Sequence, residues 1–373
     1  MTTARPWYAG GHRLERGWDS WRRALKGRMG WLDPATIQPF RGYGDGARLR
    51  VKGRVLETGG LERWQQRKGL GSNLMGMFHR FESDEIPDAR IRASCAGRSL
   101  ETASDEEGYF ELALDGLAAT PDGARWRTVE LELLAPLLED QKPVVVAAPV
   151  LIPPPAAGFA VISDIDDTII RTGATNLLRT LRTTLFTTVE GRVPFKGIGA
   201  FYRALERGAG TAPANPIFYV SSSPWNLYDL LESFMRLNDI PLGPLLLRDF
   251  GWDAGKFIKG SHEEHKLGAI ERLLEFYPSL RFILIGDSGQ HDAAIYAEAV
   301  RRHPGRILAV YIRELGPGAG AGAELAAVRQ AGVEAVLCPD LLQAAQNAAS
   351  HGWIARAAVE AVRAEVEQQT RAA

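Results

Sequence analysis

A chain of 373 residues exceeds the size at which a single hydrophobic core usually stops growing, so two or three folded units are expected. With 45% hydrophobic and 24% charged residues and a formal charge of −1, the composition is that of an ordinary soluble globular protein, and no net field marks nucleic acid as a partner. Cys95 and Cys338 stand far apart without metal-ligand spacing, which fits a reducing cytoplasm, and no apolar run reaches the ~20 residues that span a bilayer.

Residues 1–45 read as a basic helical segment in which Arg5, Arg13, Arg16, Arg22, Arg23, Lys26 and Arg28 are interleaved with Trp7, Trp18, Trp21 and Trp31. Such a segment either packs its tryptophans on the body behind it or lies peripherally on an anionic membrane face. From 46 to 150 the apolar period falls to two. Ile91, Ala93 and Cys95 alternate with Arg90, Arg92 and Ser94, and Val129, Leu131 and Leu133 alternate with Thr128, Glu130 and Glu132, the pattern of half-buried strands. With turn signals between them, these strands predict an immunoglobulin-like β-sandwich. Within it, Leu74-Met-Gly-Met-Phe-His-Arg-Phe81 reads either as core or as a lipid-touching loop.

Ile152-Pro-Pro-Pro-Ala-Ala-Gly158 is a stiff spacer and opens the next unit, 151–373. There, short apolar runs at 159–162, 217–220, 281–285, 307–312 and 333–337 alternate with helical patterns, which predicts a doubly wound α/β fold with a parallel sheet. The stretch 316–323 is a Gly/Ala loop, and an Ala-rich helix from Trp353 onward is expected on the outside.

In open parallel sheets the ligand site lies beyond the carboxyl ends of the strands. Three runs end in polar clusters: Asp164, Asp166 and Thr168 after the first; Ser221-Ser-Ser-Pro-Trp225 after the second; and Gly286-Asp-Ser-Gly-Gln-His-Asp292 after the third. Each alone also reads as a turn or a helix cap, with Ser223 and Pro224 a ready N-cap and first helical residue for 225–237. All three at the same sheet edge point instead to phosphoryl transfer. Asp164 is the expected nucleophile, forming an aspartyl-phosphate. Two residues on, Asp166 projects to the same side as general acid and base. Carboxylates facing a phosphoryl dianion need a cation, and hard oxygen ligands suit Mg²⁺, with Asp287 adding a further carboxylate. Ser221, Ser222 and Ser223, with Thr168, are the expected phosphate-binding groups. Lys266 opens the helix before the Asp287 strand, placing its ammonium within reach of Asp164 and the phosphoryl oxygens.

At these residues the chain resembles the haloacid dehalogenase superfamily. Asp164-Ile-Asp-Asp-Thr168, Ser221, Lys266 and Gly286-Asp287 with Asp292 follow its four motifs in order. The resemblance implies a metal site built from Asp164, Asp166, Asp287 and Asp292. A narrower resemblance, carried by 161–169, Tyr219-Val-Ser-Ser-Ser-Pro-Trp-Asn-Leu227, His265-Lys266, 282–292 and Val310-Tyr-Ile-Arg313, is to the actin-patch type of phosphatidate phosphatase and covers roughly 158–355. It implies Mg²⁺-dependent hydrolysis of a phospholipid substrate, phosphatidate, to diacylglycerol. Arg171, Arg179, Arg182 and Arg192 accompany an apolar helical stripe of Leu177, Leu178, Leu181, Leu185 and Phe186, which reads as a core-facing stripe or as a lipid approach surface. Two other readings stand beside this one: a phosphatase of a soluble phosphomonoester or phosphoprotein, and a non-catalytic lipid-binding scaffold, against which the intact acids at 164, 166 and 287 argue.

Overall fold

A computed structural model describes residues 33–58, 85–118, 124–138, 141–165, 196–210, 215–248, 262–289, 291–315 and 321–371. The tryptophan-bearing stretch 1–32, the loop 74–81 and the stripe 177–186 lie outside these residues.

The N-terminal part is rich in strands: β1 (Ala35–Pro39), β2 (Gly42–Gly44), β3 (Arg48–Glu57), β4 (Arg90–Cys95), β5 (Arg98–Ala103), β6 (Tyr109–Asp115), β7 (Trp126–Ala135) and β8 (Val144–Leu151). Alternation is realised as expected. Ile91, Ala93 and Cys95 of β4 and Val129, Leu131 and Leu133 of β7 are buried, and they share a core with Ile37, Val51, Val55 and Phe110. Between β5 and β6 the Asp105 carboxylate accepts from the N–H groups of Glu107 and Tyr109 while Gly108 takes φ 79°, a left-handed position that favours glycine. Hydrogen bonds run in the order β1-β3-β2-β8-β7-β4-β5 with β6 on β3, and the β2–β8 pair is parallel, so one continuous sheet wraps the core. Strands already begin at Ala35, which corrects the helical reading of residues 35–44. Ala35 and Ile37 do alternate inward, but β1 and β2 are too short, and too interrupted by Pro39 and the glycines, to register as period two.

The second part holds β9 (Ala160–Asp164), β10 (Ile217–Pro224), β11 (Leu245–Arg248), β12 (Phe282–Asp287), β13 (Ile307–Arg313) and β14 (Glu334–Cys338). They form a six-stranded sheet in the order β11-β10-β9-β12-β13-β14, parallel throughout. Its strands are buried on both faces. Val161, Tyr219, Ile283, Ile285 and Tyr311 meet α1 (Ile198–Arg207), α2 (Tyr228–Leu237), α6 (Leu341–Ser350) and α7 (Ala358–Arg371). Ala160, Ile162, Phe218, Leu284 and Val310 meet α3 (His262–Phe276), α4 (Asp292–Arg302) and α5 (Gly322–Gln330). Continuous apolar runs in the sequence follow from this double burial. The strand order reverses at β9, which places the end of β9 at the crevice where parallel sheets take ligands.

Three boundaries differ from expectation. The four-residue β11 was not anticipated; it abuts Gly243, where an added Cβ would strike the Ile217 carbonyl oxygen. The terminal helix starts at Ala358 instead of Trp353, after the separate helix α6, and its Glu365 carboxylate accepts from the N–H groups of Gly199 and Ala200 at the start of α1. Gly322 and Ala323 open α5 instead of ending a loop.

The two parts share an extensive seam. Tyr277 Oη donates to the Gly44 carbonyl (3.0 Å), Tyr43 packs edge-on against Phe276, and Arg125 pairs with Glu206 (2.7 Å). At the proline-rich join, buried Asn215 accepts from the N–H groups of Gly158 (3.0 Å) and Phe159 (3.3 Å) and donates to the Leu205 carbonyl (2.8 Å).

Candidate active site

The site residues are placed by strand termini. In the ladder between β10 and β9, Val220 stands opposite Asp164, so Ser221 lies one step beyond it at the same edge. On the other side Ile285 is opposite Ser163, which brings Gly286 and Asp287 alongside Asp164. Asp164, Asp287 and Asp292 each offer a carboxylate oxygen within 4.8 Å of the others, and all three are buried.

Lys266, 2% exposed, enters this cluster from α3. Its Nζ lies 2.6 Å from Asp164 Oδ1 and 2.7 Å from Asp292 Oδ1. Burial alone pushes a lysine toward its neutral form; here the charges of Asp164 and Asp292 outweigh burial and hold the ammonium well above the usual lysine range. Asp292 is engaged on both oxygens, since its Oδ2 accepts from the Asp287 N–H at 3.1 Å. It therefore acts as a brace between Lys266 and the Asp287 turn as well as a carboxylate of the cluster. Just before it, His291 takes φ 64°, a left-handed conformation uncommon outside glycine but one that histidine adopts more readily than most residues.

Two glycines make room for the turn. A Cβ at Gly286 would meet Asp292 Oδ2 at 2.5 Å and its Cβ at 2.8 Å, and a Cβ at Gly289 would meet Leu315 Cδ1 at 2.6 Å. Gly289 N–H donates to Asp287 Oδ1, and Ser288 Oγ accepts from the Leu315 N–H at 3.0 Å. Beside Asp164, Ser163 Oγ donates to the Asp164 carbonyl (2.7 Å) and contacts Tyr202 Oη (2.6 Å), whose phenol burial holds neutral.

Ser221, Ser222 and Ser223 stand as predicted at the end of β10, but they do not cap a helix. Pro224 remains extended (φ −72°, ψ 156°), the conformation proline also favours in Ser223 before it. A 3₁₀ turn, Trp225–Leu227, intervenes and α2 starts only at Tyr228, so Ser223 is not its N-cap. Instead the Ser223 N–H donates to Ser221 Oγ at 2.9 Å. Asp166 and Thr168 lie outside the described residues.

The cluster fits a hard divalent cation on its own chemistry. Three buried carboxylates around one ammonium repel one another strongly in a low-dielectric site, and oxygen donors at this spacing are the ligands such ions take. Reading motifs missed the roles of Tyr202, Gly289 and Trp225. The first two serve the site through hydrogen bonds, Tyr202 to Ser163 and the Gly289 N–H to Asp287. Trp225 bears a buried indole Nε1 with no hydrogen-bond partner among the described residues, as does Ser222 Oγ.

Comparison with known proteins adds a finding of a different kind. Residues 159–314 match the family described as phosphatidate phosphatase APP1, catalytic domain. The Saccharomyces cerevisiae phosphatidate phosphatase APP1 is 35% identical over 156 residues, which is 42% of this chain and 26% of that protein. An uncharacterized Schizosaccharomyces pombe protein is 29% identical over 228 residues, 58% of this chain and 34% of that one. The chain thus spans about a quarter to a third of the length of these relatives. Among solved structures, a carbohydrate acetylesterase from Xanthomonas citri aligns over 74% of this chain and 68% of its own at 12% identity and a TM-score of 0.28, too low to carry an argument.

Proposed function

We propose that the chain, whose residues 159–314 match the catalytic domain of phosphatidate phosphatase APP1, hydrolyses a phosphomonoester, phosphatidate to diacylglycerol, through an aspartyl-phosphate on Asp164. The observation that carries the reading is the buried meeting of Asp164, Lys266, Asp287 and Asp292 at one rim of the parallel sheet, inside the matched span. On this reading the α/β part is a haloacid-dehalogenase-like doubly wound fold and the strand-rich part an immunoglobulin-like sandwich.

Asp164 Oδ attacks phosphorus in line while Lys266 holds that carboxylate in place and faces the phosphoryl oxygens. Ser221 and its neighbours seat the phosphoryl group at the end of β10. Asp166 protonates the departing alkoxide, then takes a proton from the water that opens the acyl phosphate. Asp164, Asp287 and Asp292, with Asp166, would hold Mg²⁺, which when bound neutralises the phosphoryl dianion among these carboxylates. Among the described residues no helix is long and apolar enough to cross a membrane. A cytoplasmic protein meeting its lipid peripherally, at the inner membrane face, is consistent with that. Hydrolysis of a soluble phosphomonoester or phosphoprotein is the rival reading.

The test is Mg²⁺-dependent phosphate release from phosphatidate vesicles against a panel of soluble phosphoesters. Vesicle phosphatidate is expected to be the preferred substrate, and Asp164→Asn to lower the rate by roughly 10³-fold or more while the circular dichroism spectrum is unchanged. Preference for soluble esters would replace the lipid reading; full activity of the variant would remove Asp164 as nucleophile.

A further inference from the structure

The segment that follows Ser221 is gripped by the other half of the molecule. Phe40, at the end of β1 and 1% exposed, stacks on Trp225 with ring centroids 4.8 Å apart and planes at 19°, and also packs on Tyr228 at 4.3 Å. From β3, Lys52 Nζ stands 4.5 Å from the centroid of the same indole. Next to Phe40, the Arg41 N–H donates to Tyr228 Oη at 2.8 Å and its guanidinium pairs with Glu232 of α2 at 3.1 Å. All of these contacts fall on the 3₁₀ turn Trp225–Leu227 and the first turns of α2.

A single 3₁₀ turn has poor hydrogen-bond geometry and little stability of its own. The Ser221–Trp225 stretch is fixed at its start by the ladder with β9, where Val220 faces Asp164. Past a register shift, Pro224 pairs with Arg248 of β11, and beyond it the aromatic stack and the ammonium hold Trp225. Stacked rings and a cation over an indole are directional contacts, so they set the turn's position and not merely its burial. Within the gripped stretch lie two buried polar atoms without partners among the described residues, Ser222 Oγ and Trp225 Nε1. A native fold leaves such atoms unpaired where a ligand or a functional constraint explains them.

We propose that the strand-rich N-terminal part completes the phosphoryl seat: Phe40 and Lys52 are positioning residues that hold the Ser221–Trp225 turn through Trp225. The proposal rests on the phosphatase reading above. It makes the span 159–314 an incomplete catalytic unit and assigns the N-terminal strands a part in the reaction.

The experiment uses the full chain with saturating Mg²⁺, inorganic phosphate as the calorimetric probe, and steady-state kinetics. Phe40→Ala is expected to weaken phosphate binding and raise KM by about fivefold with kcat within about twofold. The Mg²⁺ concentration for half-activation should stay unchanged, because the carboxylates are held by β9, β12 and α3. Phe40→Tyr, which keeps the ring, should restore phosphate affinity. Ile91→Ala is the control: it damages the N-terminal core away from the seam and should leave phosphate affinity and KM at wild-type values. Wild-type affinity in Phe40→Ala, or an equal loss in Ile91→Ala, overturns the proposal while the phosphatase reading stands. A wild-type protein that binds no phosphate overturns both.

Discussion

The two halves of the molecule bury polar groups in opposite ways. In the N-terminal strands the buried polar side chains answer to nearby partners: Arg54 donates to the Glu107 carbonyl and pairs with Glu85, and Ser104 joins Ile86 and Ala89. In the α/β half, Ser163, Asp164, Ser221, Ser223, Lys266, Asp287 and Asp292 are all buried at a single edge of one sheet, with like charges within reach of each other. The first arrangement stabilises a fold. The second costs stability and is held only because the surrounding apolar faces over-determine it.

The largest effect that would break this contrast is at Lys266. Lys266→Met leaves Asp164 and Asp292 facing each other without their ammonium, and is expected to abolish turnover and to destabilise the fold by about 3–5 kcal/mol in urea titration. Loss of activity with unchanged stability would mean the cluster is not the strained element. Ile91→Ala, at a fully buried position, should cost about 2–4 kcal/mol by the same titration yet leave kcat/KM unaltered below the melting transition. Gly286→Ala pushes a methyl into Asp292, with an expected loss of about 1–3 kcal/mol and a fall in activity. Equal activity there would show that the Asp292 brace adapts. At the seam, burial would raise the Glu232 carboxyl, but Arg41 and Arg236 outweigh burial and hold it below the usual range. Its stabilisation is therefore fully present above the ordinary glutamate value of about 4.3 and lost as pH falls through its lower folded value. Glu232→Gln should flatten that part of the acid unfolding curve. Smallest of all, Arg92→Ala on the exposed face of β4 should leave the urea midpoint at its wild-type value, despite its contacts to Glu101 and Glu132, because exposed ion pairs are screened by solvent.

Much of the site was legible because strand ends are legible. Apolar runs that stop at an acid or a serine mark Asp164, Ser221 and Asp287 as strand-end residues, and strand register brings them together. Lys266 was readable in position but not in strength, since its second partner, Asp292, comes from another helix. What escaped were features with no local period. β1, β2 and β11 have too few residues for an alternation to stand out from the sequence. The late start of α2 depended on Pro224 staying in the strand, where a Ser-Pro pair equally suggests a cap. The Phe40–Trp225 stack joins residues from the two separate parts of the molecule, and nothing near either residue announces the other.

Asn215 turns a proline-rich join from a hinge into a dowel. Because one amide side chain takes two successive backbone N–H groups and grips a carbonyl of α1, the last residues of the join are pinned to the α/β half by three hydrogen bonds. The free length of chain between the halves is thereby shortened to the prolines themselves, while Tyr277 on Gly44 and Arg125 on Glu206 bridge the halves directly.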